Sequence, residues 1–345
     1  MINVALASYG MSGKVFHAPL LSAHPHFQLY KVLERHRTES VEEYPGVLLA
    51  RQYEELLSDP KVDLIVVNTP NAYHYEMAHA ALEAGKHVVV EKPFTSTTEE
   101  AQQLMALAET HSKILTVFQN RRWDSDFRTV QKVLASGVLG TVVEYEAHYD
   151  RFRNYIQPDT WKEESGPGSG ILYNLGSHMI DQALVLFGRP QTLYAKLSIQ
   201  RTGGQAPDAY HLILGYDSLQ VVLKSSYLVR DLGPRYKILG HQGTFTKYGI
   251  DPQEDLLKLG VSPDNSRIGA ESEDDWGTLD TEFNGLHFQG KIASELGSYT
   301  LFYENLYQAL QGKEALAVKA EEAAQVIRLI ELAYESDEQG SVLEV

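Results

Sequence analysis

The 345-residue chain has no cysteine. That excludes disulfides, thiol nucleophiles and thiolate metal sites, and it suits a reducing compartment. Basic residues are scarce as well: 30 Lys and Arg stand against 46 Asp and Glu, a formal charge of −16. So acidic a chain argues against nucleic acid or an anionic membrane as partner. No apolar run approaches the length of a membrane span, about 20 residues. No charged region of signal-peptide form precedes Ile2-Asn3-Val4-Ala5-Leu6-Ala7, so a cytoplasmic location is expected. Internal repeats and low-complexity tracts are missing too.

What is present is an ordinary globular composition, 43% hydrophobic and 22% charged. The length exceeds one comfortable core, so two domains are expected. Over residues 1–118 short apolar runs alternate with amphipathic stretches, the pattern of a parallel sheet wrapped by helices. Strands are expected at 2–7, 27–33, 64–68, 87–90 and 114–118. Helices are expected at 76–84, stopped by Gly85, and at 99–111. This is an α/β Rossmann-type, doubly wound parallel sheet. Residues 119–345 carry longer, Tyr-rich alternating runs at 142–151, 192–200, 210–216, 220–228, 236–239 and 244–248, which predict an α+β domain with a mostly antiparallel sheet. Helical stretches at 297–310 and 320–334 follow. Residues 336–345 read as a polar tail, and 251–290, with its acidic run Glu271-Ser272-Glu273-Asp274-Asp275, as solvated loop.

The first strand runs into Ser8-Tyr9-Gly10-Met11-Ser12-Gly13, a G-x-G-x-x-G fingerprint with serine in place of the first glycine. Gly10 and Gly13 are the positions that let backbone approach a pyrophosphate at a helix start and let helix and strand pack closely, with Met11 and Ser12 between them. Its place after strand one, opening a βαβ unit, favours dinucleotide binding over an ordinary tight turn. The second strand ends in Glu34-Arg35-His36-Arg37. A carboxylate there takes the ribose hydroxyls of NAD, whereas arginine accommodates the 2′-phosphate of NADP. Arg35 and Arg37 tilt the reading slightly to NADP. Glu34 opposes it unless its carboxylate turns away, and a helix-facing ion pair is the alternative.

The run His87-Val88-Val89-Val90-Glu91-Lys92-Pro93-Phe94 ends a β-branched strand in a carboxylate, an ammonium and a proline. The following Thr95-Ser96-Thr97-Thr98-Glu99-Glu100 reads as a helix start. In open α/β sheets, ligands sit at that C-terminal edge. Lys92 is therefore a candidate substrate-facing lysine beside a cofactor, or else a solvated strand end.

Three further stretches join these: Asn68-Thr69-Pro70-Asn71-Ala72-Tyr73-His74, Gln119-Asn120-Arg121-Arg122-Trp123-Asp124, and Gly170-Ile171-Leu172-Tyr173-Asn174-Leu175-Gly176-Ser177-His178-Met179-Ile180-Asp181. With Glu91-Lys92-Pro93 and the glycine loop, nearly the whole chain resembles the Gfo/Idh/MocA family of NAD(P)-dependent sugar and polyol oxidoreductases. Asn120–Asp124, Tyr149-Asp150-Arg151-Phe152-Arg153 and Tyr248–Glu254 resemble the branch containing NADP-dependent scyllo-inositol dehydrogenases. The resemblance implies a Rossmann domain, a second domain on a large open sheet, and homo-oligomers, dimers or tetramers, formed through that sheet. It makes Lys92 the lysine touching nicotinamide end and substrate hydroxyl, and His178 the acid/base. Thr69, Pro70, Asn71 and His74 match the cofactor-contacting turn and Glu91 the carboxylate beside it. Gln119, at the domain crossing, is counted with the cofactor contacts.

Oxidising a secondary alcohol needs a base near neutral pKa and a group that steadies the developing alkoxide. His178 suits the first role and Lys92 the second. Many family members carry aspartate four residues before the histidine; here stands Asn174, which orients a ring without supplying charge. Asp181, a turn beyond His178, is a candidate partial substitute. Arg122, Tyr149, Arg151 and Trp161 are candidate sugar-binding groups, with interdomain packing as the alternative. No third ligand accompanies His178 and Asp181, so no metal is expected. The expected function is hydride transfer between NAD(P) and a cyclic polyol or sugar, with a small-molecule substrate as the partner. A dinucleotide-binding sensor with impaired catalysis and a glycosidase with an NAD redox relay are the alternatives.

Overall fold

The structure, a computed structural model, describes every residue except Asp159 and the side chain of Trp161. In chain order, β1 (Ile2–Leu6) leads through the glycine loop into a π-helical turn (Gly13–His17) and α1 (Ala18–Ala23). Then come β2 (Phe27–Leu33), α2 (Glu39–Glu43), β3 (Leu48–Ala50), α3 (Glu54–Leu57), β4 (Leu64–Val67), α4 (His74–Glu83), β5 (His87–Val90), α5 (Thr98–Thr110) and β6 (Leu115–Val117). These six strands form one parallel sheet in the order β3-β2-β1-β4-β5-β6. Order reverses between β1 and β4, the switch point beside which dinucleotides bind in such sheets. Every residue of β4 and the last three of β5 are buried, which is why they read as unbroken apolar runs. Thr97 caps α5 through a box with Glu100, and Gly85 follows α4 with φ +72°, both as the sequence implies.

The chain continues through α6 (Ser125–Ala135), β7 (Val142–His148), a second π turn (Leu172–Gly176) and α7 (Ser177–Phe187). Next are β8 (Thr192–Ser198), β9 (Ala209–Gly215), β10 (Gln220–Ser226), β11 (Tyr236–Gly240), β12 (Gly243–Lys247) and α8 (Gln253–Lys258). The last elements are β13 (Gly277–Phe283), β14 (Leu286–Ile292), α9 (Thr300–Leu310), α10 (Ala320–Gln339) and β15 (Leu343–Glu344). Nine strands form the second sheet, ordered β14-β13-β12-β11-β7-β10-β9-β8-β15. Among the described residues of this sheet, only β7 and β10 pair in parallel. Helix α7 packs on β10, and its residues Ser177 to Ala183 are all buried.

Packing divides the chain into two units less simply than the expected 1–118 and 119–345. The first gathers Met1–Asn120, Gln253–Ile268 and Ser298–Ala324; the second gathers Arg121–Pro252, Gly269–Gly297 and Gln325–Val345. Two expectations are corrected. The stretch 251–290 is not all loop: it holds α8, β13 and most of β14, and the acidic run, exposed at Ser272, Glu273 and Asp274, still buries the Glu271 side chain in an ion pair with Lys247 at 2.6 Å. Nor is 336–345 a free tail. Ser336 Oγ accepts the Ala195 N–H at 3.0 Å and donates to the Ser341 carbonyl at 2.7 Å, and β15 adds an antiparallel strand beside β8. Strand β3, three residues long, carries too little pattern to be read from sequence.

Candidate active site

Serine in place of the first glycine locks the loop to the neighbouring strand. Ser8 N–H and Oγ–H donate to Asn68 Oδ1 and Asn68 O at 2.9 and 2.7 Å, and Asn68 Nδ2 donates back to Ser8 O at 2.9 Å. A Cβ on Gly13 would stand 2.8 Å from the Ser8 carbonyl oxygen and 3.0 Å from Asn68 Nδ2. Strand end and helix start are pressed together there, as the fingerprint requires. A Cβ on Gly10 would meet only the Ser8 hydroxyl, at 4.0 Å, so the space above the loop is open. Met11 is exposed, and Ser12 Oγ lies 3.5 Å from Asn68 O.

Beside the loop lies a cleft of about 450 Å³ lined by Tyr9, Glu34, Arg35, His36, Arg37, Arg51, Thr69 and Pro70, among others. Glu34 is among the lining residues, and its carboxylate is committed to backbone donors. Its two oxygens accept the backbone N–H groups of Glu39 (3.1 Å) and Ser40 (2.7 Å), satisfying the start of α2. Arg51 donates to the carbonyls of Glu34 and Arg37 at 2.8 and 2.7 Å, bracing the Arg35–Arg37 loop. Two buried polar atoms at the sheet's C-terminal edge, Thr69 Oγ1 and Gln119 Oε1, have no hydrogen-bond partner among the described residues. Buried polar atoms are rarely left so. The open Gly10 floor, the basic cleft and these two atoms together fit a dinucleotide.

At the end of β5, Lys92 is half-buried and its backbone N–H donates to Glu91 Oε2 at 3.0 Å. The other Glu91 oxygen faces His17 Nε2 at 3.0 Å. Burial pulls the Glu91 pKa upward, but the His17 hydrogen bond and the charges of His17, Lys92 and His74 outweigh it and hold the carboxyl below its ordinary value. His74 is fully buried, with its ring nitrogens on Pro93 O (2.8 Å) and Thr69 O (3.0 Å). Burial pushes its pKa down against the pull of those carbonyls. A neutral ring carries one N–H and so donates to one of these carbonyls at a time; the ring sits between the turn after β5 and the turn after β4, and His74 shapes this edge. Asn71 is buried in the latter turn.

In the second unit, the π turn Leu172–Gly176 carries Asn174, whose Nδ2 donates to Tyr227 Oη at 3.2 Å. Helix α7 then presents His178, 3% exposed. Asp181 grips the Arg122 guanidinium with both oxygens, at 2.8 and 2.6 Å. The Tyr149 ring is buried and has the guanidinium carbons of Arg121, Arg151 and Arg235 at 5.2, 5.2 and 4.5 Å from its centroid. Tyr149 is thereby held in packing. The side chain of Trp161 lies outside the described residues. Sequence reasoning missed His17, Asn68 and Arg51 as site residues. Asn68 opened a stretch already singled out, one residue before Thr69, and His17 lies four residues beyond Gly13, outside the glycine-loop motif, whereas Arg51 follows the unreadable β3. Among the described residues no group of three His, Asp or Glu is arranged to hold a metal, and no helix is long and apolar enough to cross a membrane.

Comparison with known proteins agrees with this geometry. Residues 2–119 match the NAD-binding Rossmann fold of an oxidoreductase family, and residues 131–345 match its C-terminal alpha/beta domain. The scyllo-inositol 2-dehydrogenase (NADP(+)) IolW of Bacillus subtilis is 40% identical over 98% of this chain and 94% of its own. The uncharacterized oxidoreductase YdgJ of Escherichia coli is 41% identical over 99% of this chain and 98% of its own. A solved structure from Bacteroides fragilis superposes with a TM-score of 0.93 at 46% identity, covering 100% of both chains. With a nucleotide-binding unit of this order and matches to both domains, the chain belongs to the Gfo/Idh/MocA family and is a dehydrogenase or reductase that works with a nicotinamide dinucleotide.

Proposed function

We propose that the protein transfers hydride between NADP(H) and a secondary alcohol or ketone of a cyclic polyol or sugar of inositol-like type. The observation that carries the cofactor preference is the orientation of Glu34. With its carboxylate committed to the backbone N–H groups of α2, Glu34 is drawn from the role that selects NAD, while Arg35, His36, Arg37 and Arg51 line the same cleft. A phosphate on the ribose meets guanidinium donors there. The substrate class is supported by the likeness to IolW.

When bound, the nicotinamide supplies the hydride acceptor or donor. Gly10 leaves open backbone for its pyrophosphate, Gly13 lets the helix start close on Ser8, and Thr69 Oγ1 and Gln119 Oε1 offer it polar atoms. The roles of the reacting groups follow the family resemblance. Lys92 holds its ammonium against the substrate oxygen and steadies the alkoxide as the C–H bond breaks. His178 accepts the hydroxyl proton in oxidation and returns it in reduction. Asn174 orients without adding charge.

Fluorescence titration of the protein with NADPH and NADH tests the cofactor reading. NADPH should bind the more tightly. Arg35→Ala should weaken NADPH about tenfold while leaving NADH within about threefold; equal losses for both would remove Arg35 from 2′-phosphate recognition. A panel of inositols and hexoses, followed by nicotinamide absorbance, tests the substrate class.

A further inference from the structure

His17 is fully buried in the first unit, its ring beside that of Phe118, whose centroid lies 4.4 Å away. Nothing in hydride transfer calls for it. Its Nε2 faces Glu91 Oε1 at 3.0 Å and its Nδ1 faces Tyr303 Oη at 2.7 Å. An ionised carboxylate only accepts, so Nε2 carries the proton and Nδ1 accepts from the phenol. Burial and the Glu91 charge push the Tyr303 pKa well up, keeping it a donor. A directed chain results: Tyr303 on α9 donates to His17, His17 to Glu91, and the Lys92 peptide N–H to the other oxygen of Glu91. His17 is also the last residue of the π turn that begins at Gly13, the glycine-loop position pressed against Ser8. Turns of this kind are uncommon and concentrate at functional sites.

We propose that His17 is a positioning residue for Lys92, acting through Glu91, and that it makes the glycine-loop helix and the lysine-bearing turn one mechanical unit. The inference rests on the reading of Lys92 as the hydride-transfer lysine. The groups facing Glu91 are His17 from the π turn, Lys92 beside it, His74 from α4 and Tyr303 from α9. The Lys92 charge holds the Glu91 carboxyl down, and that attraction is mutual, so an ionised Glu91 favours the ammonium form of Lys92. Without the His17 donor, Glu91 is a buried carboxylate short of a hydrogen bond. It then takes up a proton more readily, and Lys92 loses both its neighbouring charge and a fixed backbone.

The test uses the full-length protein with His17→Phe, His17→Gln and Glu91→Gln. Folding is checked by thermal melting and cofactor binding by NADPH fluorescence. The pH midpoint of Lys92 acetylation by limiting acetic anhydride is read by mass spectrometry. His17→Phe and Glu91→Gln should lower that midpoint by about 0.5 or more in pH. Both should also lower kcat about tenfold on whichever panel substrate the wild type oxidises, with the Kd for NADPH within about threefold. His17→Gln, which keeps an N–H donor, should restore both. A folded His17→Phe with an unmoved midpoint, or a His17→Gln as impaired as His17→Phe, overturns the proposal. Should His17→Phe not fold, an unmoved midpoint in Glu91→Gln overturns it. A wild type that oxidises no panel member strikes the functional reading instead, because the acetylation midpoint is read without turnover.

Discussion

At the scale of single residues, Asp181 illustrates how a plausible catalytic assignment meets a structural one. Its carboxylate is gripped through both oxygens by Arg122, and both side chains are nearly inaccessible. Breaking one partner of a buried pair leaves an uncompensated charge. Asp181→Asn is therefore expected to cost about 3–5 kcal/mol in denaturant unfolding while leaving the midpoints of the pH–rate profile in place. A moved profile in a variant of unchanged stability would return Asp181 to the chemistry. Glu91 makes an acid-side prediction. Its folded pKa lies below the ordinary 4.5, so the folded state binds this proton less readily than the unfolded chain. The stability it contributes is complete above about 4.5 and is lost as pH falls through the lower folded value. Denaturant midpoints of the wild type should decline across that window, and those of Glu91→Gln should decline less.

At the scale of elements, two glycines in one loop have opposite roles. Gly13 is where helix start and strand end touch, since a Cβ would press on the Ser8 backbone carbonyl at 2.8 Å. Gly10 faces open space. Gly13→Ala should cost about 1–3 kcal/mol by overpacking and weaken NADPH by displacing the helix start. Gly10→Ala should melt within a few degrees of the wild type yet bind NADPH at least about tenfold more weakly, since the added methyl stands where pyrophosphate passes. Calorimetry beside fluorescence titration separates the two. The central strands of the first sheet were readable because burial on both faces leaves no polar residue to interrupt them. Strands β13 and β14 were not. Asn284-Gly285 between them and the acids of β13 resemble loop, and β14 carries an exposed face in which Leu286 and Phe288 stand in solvent.

At the scale of the whole molecule, fold class and cofactor type were legible in the order of motifs, because each fell at the end of a strand whose pattern could be read. The direction of a side chain was not. Glu34 was visible as a carboxylate at the ribose position, but whether it faces a ribose depends on α2 starting five residues later, and five residues make too short a helix to announce itself. Likewise the second unit's last strand hid in a polar C-terminal stretch. Strand β15 pairs with β8 at one end of the nine-stranded sheet, and an uncovered edge is a template for further strands. Removing residues 340–345 should lower the melting temperature and raise light scattering on incubation, whereas an unchanged scattering trace would show that edge to be harmless. The practical corollary concerns handling: a purification handle fused after Val345 would tug on a seam of two paired residues, whereas one placed before Met1, 82% exposed, extends into water and leaves the seam closed.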